Sequence, residues 1–218
     1  MEASLAYWLE QRHRMIEHQL RRRGIADRRV LEAMGGMPRE EFIAPAHREA
    51  SYTDEPVSIG FGQTISQPYI AALMAECLRL QGTENVLEVG AGCGYNAALL
   101  GCLAASVVSM EIVPELAALA RSNLDRTGYG KNVRIVCGDG SLGWPPAQPY
   151  DAILVAAAAP ETPSALLDQL ADPGCLVIPV GPRADQDLQV ITRWDGRIHT
   201  RTATFCRFVL LRGKEGWR

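Results

Sequence analysis

Apolar residues recur at helical spacing over residues 5–22 and 27–34, with Gly24-Ile25-Ala26 between them and Gly35-Gly36-Met37-Pro38 closing the second stretch. This pattern predicts a helical N-terminal cap. Residues 39–66 hold no period and are broken by Pro45, Pro56, Gly60 and Gly62, after which helical spacing resumes over 67–80. An aperiodic stretch of that length in a compact chain points to a functional loop. From there short apolar runs alternate with helical stretches: strands at 85–89, 106–110, 132–137, 151–155 and 175–180, helices at 95–104, 114–127 and 163–171. Each apolar run is bounded by glycine, proline or polar residues, the signature of parallel strands buried on both faces. Beyond Gly181 the pattern becomes an alternation, at 188–194 and 202–211, divided by Asp195-Gly196, a good hairpin turn. The expected fold is a doubly wound α/β sheet, mostly parallel, with antiparallel C-terminal strands and the helical cap. It forms one domain over residues 1–218, with the cap and loop at 1–80, the α/β core at 81–181 and the C-terminal strands at 182–218.

Ligands of open α/β sheets bind outside the carboxyl ends of the strands, at the switch point of the topology. Four pieces of this chain fall at such ends: the turn Gly90-Ala91-Gly92-Cys93-Gly94, Glu111, Gly138-Asp139-Gly140 and the loop 156–160. Glycines 90, 92 and 94 allow a sharp turn and close approach of a ligand, and the following helix start offers free N–H groups. Glu111 closes the next strand, where a carboxylate accepts from a ribose diol. Dinucleotide sites read G-x-G-x-x-G, and the place of the third glycine holds Tyr95 here. The G-x-G-x-G turn preceded by Glu88 therefore suits a ligand without a pyrophosphate, and S-adenosylmethionine, an adenosine bearing an amino-acid tail, is the candidate. Asp139 is placed to accept from the adenine amino group, with the Gly140 N–H facing a ring nitrogen. The same glycines also fit a tight turn with no ligand, and Gly138-Asp139-Gly140 also fits a plain turn.

The 218 residues carry 47% apolar side chains, enough for a substantial core, and a net charge of −3. That balance argues against nucleic acid, and Arg21-Arg22-Arg23, the longest basic run, reads as a solvated helix end. No stretch approaches the roughly 18 apolar residues of a membrane span, and the N-terminus lacks a signal-peptide core. A cytoplasmic monomer is the expectation. The six cysteines lack C-x-x-C spacing and read as reduced, buried hydrophobes, and the four scattered histidines predict no metal site.

Several segments together resemble the protein-L-isoaspartate(D-aspartate) O-methyltransferase family. They are Gly62-Gln63-Thr64-Ile65-Ser66-Gln67-Pro68-Tyr69, the turn 87–95, Gly138-Asp139-Gly140, Ala157-Ala158-Ala159-Pro160 and Phe208-Val209, with further likeness at 19–25, 37–42, 166–170 and 178–181. The resemblance implies a Rossmann-like methyltransferase sheet. It also implies transfer of a methyl group from S-adenosylmethionine to the α-carboxyl of L-isoaspartyl residues in damaged peptides and proteins, whose ester closes to a succinimide that hydrolyses partly to normal aspartate. By the same resemblance Ser66 is the active-site serine and Gln63, Thr64 and Ile65 border cofactor and substrate. Glu111, with Ile112 beside it, binds the ribose, and Asp139-Gly140 form the adenine site. The chain departs from the family's usual residues at Cys93, Asn96, Ala156 and Leu210. Methyl transfer to a carboxylate needs no strong base, so Ser66 would orient one carboxylate oxygen. Standing before Gln67-Pro68, where a helix starts, Ser66 also fits an N-cap. Two other readings remain at this stage: a methyltransferase for another peptide or small carboxylate, and a non-catalytic S-adenosylmethionine-binding adaptor.

Overall fold

A computed structural model of the protein describes residues 4–217; the ends of the 1–218 unit, residues 1–3 and 218, lie outside the described residues. The chain opens with helix α1 (Leu5–Arg14), capped by Ser4, whose hydroxyl accepts from the Tyr7 N–H. The helix does not run on regularly to residue 22. It widens into a π-helical stretch, Met15–Leu20, and then tightens into a 3₁₀ turn, Arg21–Arg23. The wider turn brings Met15 and Leu20, five residues apart, onto one buried face, which an α-helix would not do. Gly24, at φ +93°, ends the run. Helix α2 (Arg28–Gly36) follows, its first N–H groups held by the Asp27 carboxylate.

Residues 39–66 are more ordered than their sequence suggests. Two 3₁₀ turns, Arg39–Phe42 and Pro45–Ala50, lead into a small hairpin of β1 (Val57–Gly60) and β2 (Gln63–Ile65). Helix α3 (Pro68–Leu78) follows at once.

The core then alternates β3 (Asn85–Val89), α4 (Tyr95–Leu103), β4 (Ser106–Glu111), α5 (Pro114–Thr127), β5 (Val133–Cys137), β6 (Tyr150–Val155), α6 (Ser164–Asp168) and β7 (Leu170–Val180). It ends in β8 (Gln186–Trp194) and β9 (Arg197–Cys206). The seven-stranded sheet has the order β5-β4-β3-β6-β7-β8-β9. Pairings from β5 to β7 are parallel and the last two antiparallel. The switch point lies between β3 and β6, where the chain order reverses.

Alternate residues of β3 feed two apolar layers. Val86 packs with the helical cap, α3 and α4, while Leu87 and Val89 pack with Leu166 of α6 and Leu211 near the C-terminus. Helices thus cover both faces, which explains the unbroken apolar runs in the central strands.

Three expectations change. Helix 163–171 is only α6, because β7 begins at Leu170 rather than at 175. The last strand lies at 197–206, not 202–211. The Asp195-Gly196 turn pairs Trp194 directly with Arg197, and the first half of this edge strand is exposed and polar, so no alternation marks it. Residues 207–211 leave the sheet and return across its end, where Leu210 bridges to Ala158. Finally, the cysteines are not uniformly buried: Cys77 and Cys93 are, but Cys102 and Cys137 are exposed.

Candidate active site

The glycine turn is held from two sides. The N–H groups of Gly90 and Ala91 both donate to the Met110 carbonyl at the end of β4, at 2.8 and 3.0 Å. From α5 the buried Asn123 side chain donates to the Cys93 carbonyl at 2.9 Å. Gly94, at φ +87°, starts α4, and a Cβ there would lie 3.1 Å from the Ala120 carbonyl oxygen. Only glycine lets α4 and α5 approach this closely while leaving the left-handed turn unstrained.

Glu111 faces the turn. Its Oε2 accepts from the Gly92 N–H at 2.8 Å and its Oε1 from the Val113 N–H at 3.0 Å. The residue is only 6% exposed, yet it borders a solvent-open cavity. Each oxygen keeps a lone pair for a ligand hydroxyl. Around this cavity the structure brings together most of the sequence-derived site: Gln63, Thr64, Ile65 and Ser66 from the hairpin and its exit, Gly90 and Gly92, Glu111, Ile112 and Gly140. Gly140 is buried, and a Cβ there would come within 2.6 Å of Val89, so the backbone itself forms the wall.

Three residues sit elsewhere. Gly94 stands behind the turn, as the α4–α5 contact requires. Glu88 lies beneath it, fully buried, accepting a hydrogen bond from the Ser109 hydroxyl, and its other oxygen has no partner. Burial, eased by the Ser109 bond and reinforced by the Glu111 charge, pushes the Glu88 carboxyl up to about 8, so it is mostly protonated near neutrality. Asp139 does not border the cavity. Its Oδ1 accepts from the Ser141 N–H and hydroxyl at 2.9 and 2.6 Å, and its Oδ2 from the Lys214 N–H at 2.8 Å. The carboxylate thereby pins the C-terminal segment over the cavity, with the Ser141 hydroxyl accepting from the Glu215 N–H at 3.0 Å.

That segment is what the sequence pattern missed. Val209, Leu210, Leu211 and Arg212 line the cavity opposite the glycine turn. The apolar alternation that suggested a strand at 202–211 serves this wall instead. All four departures from the family pattern, Cys93, Asn96, Ala156 and Leu210, also line it. The Asn96 side-chain oxygen is buried there without a partner.

A second cavity of about 410 Å³ adjoins the first, bounded by Pro56, Gln67, Ile70 and residues 205–208. Thr64, Ser66, Ala156 and Val209 line both. Ser66 does not cap α3. The cap position is Gln67, immediately before Pro68, so serine stands one residue too early. Its hydroxyl makes no hydrogen bond among the described residues and is free at the junction of the two cavities.

A glycine turn after the first central strand, an acid at the end of the next and a ligand cavity at the switch point define a Rossmann-like, S-adenosylmethionine-dependent methyltransferase. The profile of the family described as protein-L-isoaspartate(D-aspartate) O-methyltransferase (PCMT) matches residues 10–216. The chain belongs to that family. It is 55% identical over 208 residues to protein-L-isoaspartate O-methyltransferase 2 of Marinobacter nauticus, covering 94% of each chain. It is 50% identical to the protein-L-isoaspartate O-methyltransferase of Methanoculleus marisnigri, covering 95% of this chain and 94% of the relative. Among solved structures, a protein-L-isoaspartate O-methyltransferase superposes with a TM-score of 0.83 at 31% identity, over 94% of this chain and 67% of the other. A beta-aspartate methyltransferase (PCMT) from Plasmodium falciparum, in complex with S-adenosyl-L-homocysteine, superposes with a TM-score of 0.79 at 29% identity, over 92% and 98%.

Proposed function

We propose that the two adjoining cavities carry out methyl transfer from S-adenosylmethionine to the α-carboxyl of L-isoaspartyl residues, with Ser66 as the catalytic group between them. The enzyme is a protein-L-isoaspartate O-methyltransferase, and S-adenosylmethionine is its cofactor. The larger body of the cofactor fits the first cavity: a glycine wall without side chains, Glu111 with two free lone pairs, and the unpartnered Asn96 oxygen, an acceptor suited to an ammonium. Bound there, the cofactor supplies an electrophilic methyl group on a sulfonium.

The protein's own part is positional. Glu111 and Ile112 hold the ribose, while Gly140, with Asp139 anchoring the wall beside it, borders the adenine end. Gln63, Thr64 and Ile65 form the wall at the substrate end, and Gly90, Gly92 and Gly94 shape the turn beneath which Glu88 supplies a neutral floor. The Ser66 hydroxyl donates to one oxygen of the incoming carboxylate, so that the other points along the line of displacement. No base is required, since the carboxylate is ionised near neutral pH. Alignment of the reacting atoms and exclusion of water are sufficient to lower the barrier by several kcal/mol. The ester product then closes to a succinimide away from any catalytic group.

The observation that carries this assignment is the place of Ser66, with an unengaged hydroxyl on the boundary shared by the two cavities. Ser66→Ala should lower kcat on an isoaspartyl peptide by roughly tenfold or more while leaving S-adenosylhomocysteine affinity within about threefold. Equal loss of both would return Ser66 to a structural role. We also take the protein to act as a cytoplasmic monomer; its net charge of −3 supports peptides rather than nucleic acid as partners. No helix among the described residues is long and apolar enough to cross a membrane.

A further inference from the structure

Arg39 is the first residue of a 3₁₀ turn and is wholly buried, at 0% exposure. Its Nε donates to the Ser51 carbonyl at 2.7 Å and one Nη to the Ser66 carbonyl at 2.6 Å. The guanidinium carbon stands 4.7 Å from the centre of the Tyr95 ring, and Tyr95 lines the cofactor cavity. The other Nη has no partner. A fully buried arginine is expected to face a carboxylate. Glu40, adjacent in sequence, does not serve, because its carboxylate is taken by Arg12 at 3.3 Å and by the Tyr52 hydroxyl. Among the described residues no carboxylate pairs with Arg39. Burial pulls its pKa down from the ordinary arginine value, yet a guanidinium stays charged at neutral pH.

Such a placement is costly unless something is gained by it, and the geometry shows what. Ser66 is tethered to the fold by its carbonyl, not by its hydroxyl. Its backbone lies between the end of β2 and Gln67, which is held extended (ψ 148°) as a residue before proline must be. The Arg39–Ser66 bond fixes where that backbone sits, and the Ser51 carbonyl and Tyr95 ring fix Arg39. The planar guanidinium spans two carbonyls at a set spacing, which a lysine ammonium or a glutamine amide cannot reproduce.

We infer that Arg39 is the positioning residue for Ser66: through the Ser66 carbonyl it sets the hydroxyl at the junction of the cavities. This rests on the catalytic reading of Ser66.

The test compares Arg39→Gln, Arg39→Lys, Ser66→Ala and the Arg39→Gln/Ser66→Ala double variant. Each is assayed for kcat and KM on an isoaspartyl peptide, for S-adenosylhomocysteine affinity by calorimetry, and for thermal midpoint. Arg39→Gln should lower kcat by roughly tenfold with cofactor affinity changed by less than about threefold, and Arg39→Lys should lie between it and the parent. Because Arg39 acts through Ser66, the double variant should lose no more than the worse single one. Arg39→Gln with parental kcat and only a lowered midpoint, or losses that multiply in the double variant, would overturn the proposal. If Arg39→Gln does not fold, parental kcat in Arg39→Lys would do the same. Parental kcat in Ser66→Ala would instead overturn the role of Ser66 itself, and this inference with it.

Discussion

Removing the Glu111 carboxylate should separate cofactor binding from the rest of the machinery. In the free enzyme each of its oxygens accepts one backbone N–H, from Gly92 at 2.8 Å and Val113 at 3.0 Å. A bound ribose adds two hydroxyl donors. A hydrogen bond to a charged group contributes about 1.5–3 kcal/mol net, so the two ribose bonds are worth about 3–6 kcal/mol. Water entering the vacated space recovers part of this, and about 3 kcal/mol is the expected loss in Glu111→Ala, or roughly a hundredfold in Kd. Glu111→Gln keeps one acceptor oxygen and should lose roughly tenfold. Calorimetric titration with S-adenosylhomocysteine measures both, and circular dichroism confirms that the variants are folded. A folded Glu111→Ala protein whose Kd stays within about threefold of the parent would refute the assignment of this carboxylate to the ribose.

Two other perturbations probe different parts of the account. The Glu88 carboxyl is raised from 4.5 to about 8 by burial, so the folded state holds its proton more tightly than the unfolded state does. Stability from this group is therefore full below about pH 4.5 and is lost as pH climbs towards 8. Glu88→Gln should be close to the parent in stability at pH 5 and more stable by a few kcal/mol at pH 9, in urea unfolding; a pH-independent difference would contradict the buried, protonated state. Phe205 is 81% exposed at the rim of the second cavity, a large apolar ring left for a ligand to cover. Covering part of it contributes about 1 kcal/mol, so Phe205→Ser should raise peptide KM roughly fivefold with kcat unchanged. Unchanged KM across several peptides would place the substrate elsewhere.

The central sheet was legible because its strands are buried on both faces. Residues 85–89 and 114–127 fall where the apolar runs and their flanking breakers put them, in β3 and α5. Legibility failed where exposure or a second purpose erased the pattern. The outer strand β9 is exposed along residues 197–202, so side-chain alternation does not record its pairing. The apolar residues 209–211 looked like more of the same strand, but they are apolar because they wall the cofactor cavity.

The candidate site shows the same division. Its glycines and Glu111 announced themselves through spacing, since a backbone turn demands glycine and a strand end fixes the acid. Asp139 was visible for the same reason, but its carboxylate proved to be engaged in holding Ser141 and Lys214. Arg39 gave no signal, because an arginine in an irregular polar stretch reads as solvated. Only packing reveals it as buried behind Ser66. Segment 37–42 had matched the family pattern without a stated role, and the tether from Arg39 to the Ser66 carbonyl supplies one.

The most direct test of the central claim is methyl transfer from labelled S-adenosylmethionine to a short peptide containing L-isoaspartate, beside its normal aspartyl twin, with volatile methanol counted after base hydrolysis of the ester. Label released only from the isoaspartyl peptide is the predicted result. No label from either peptide, while calorimetry shows cofactor binding, would contradict it.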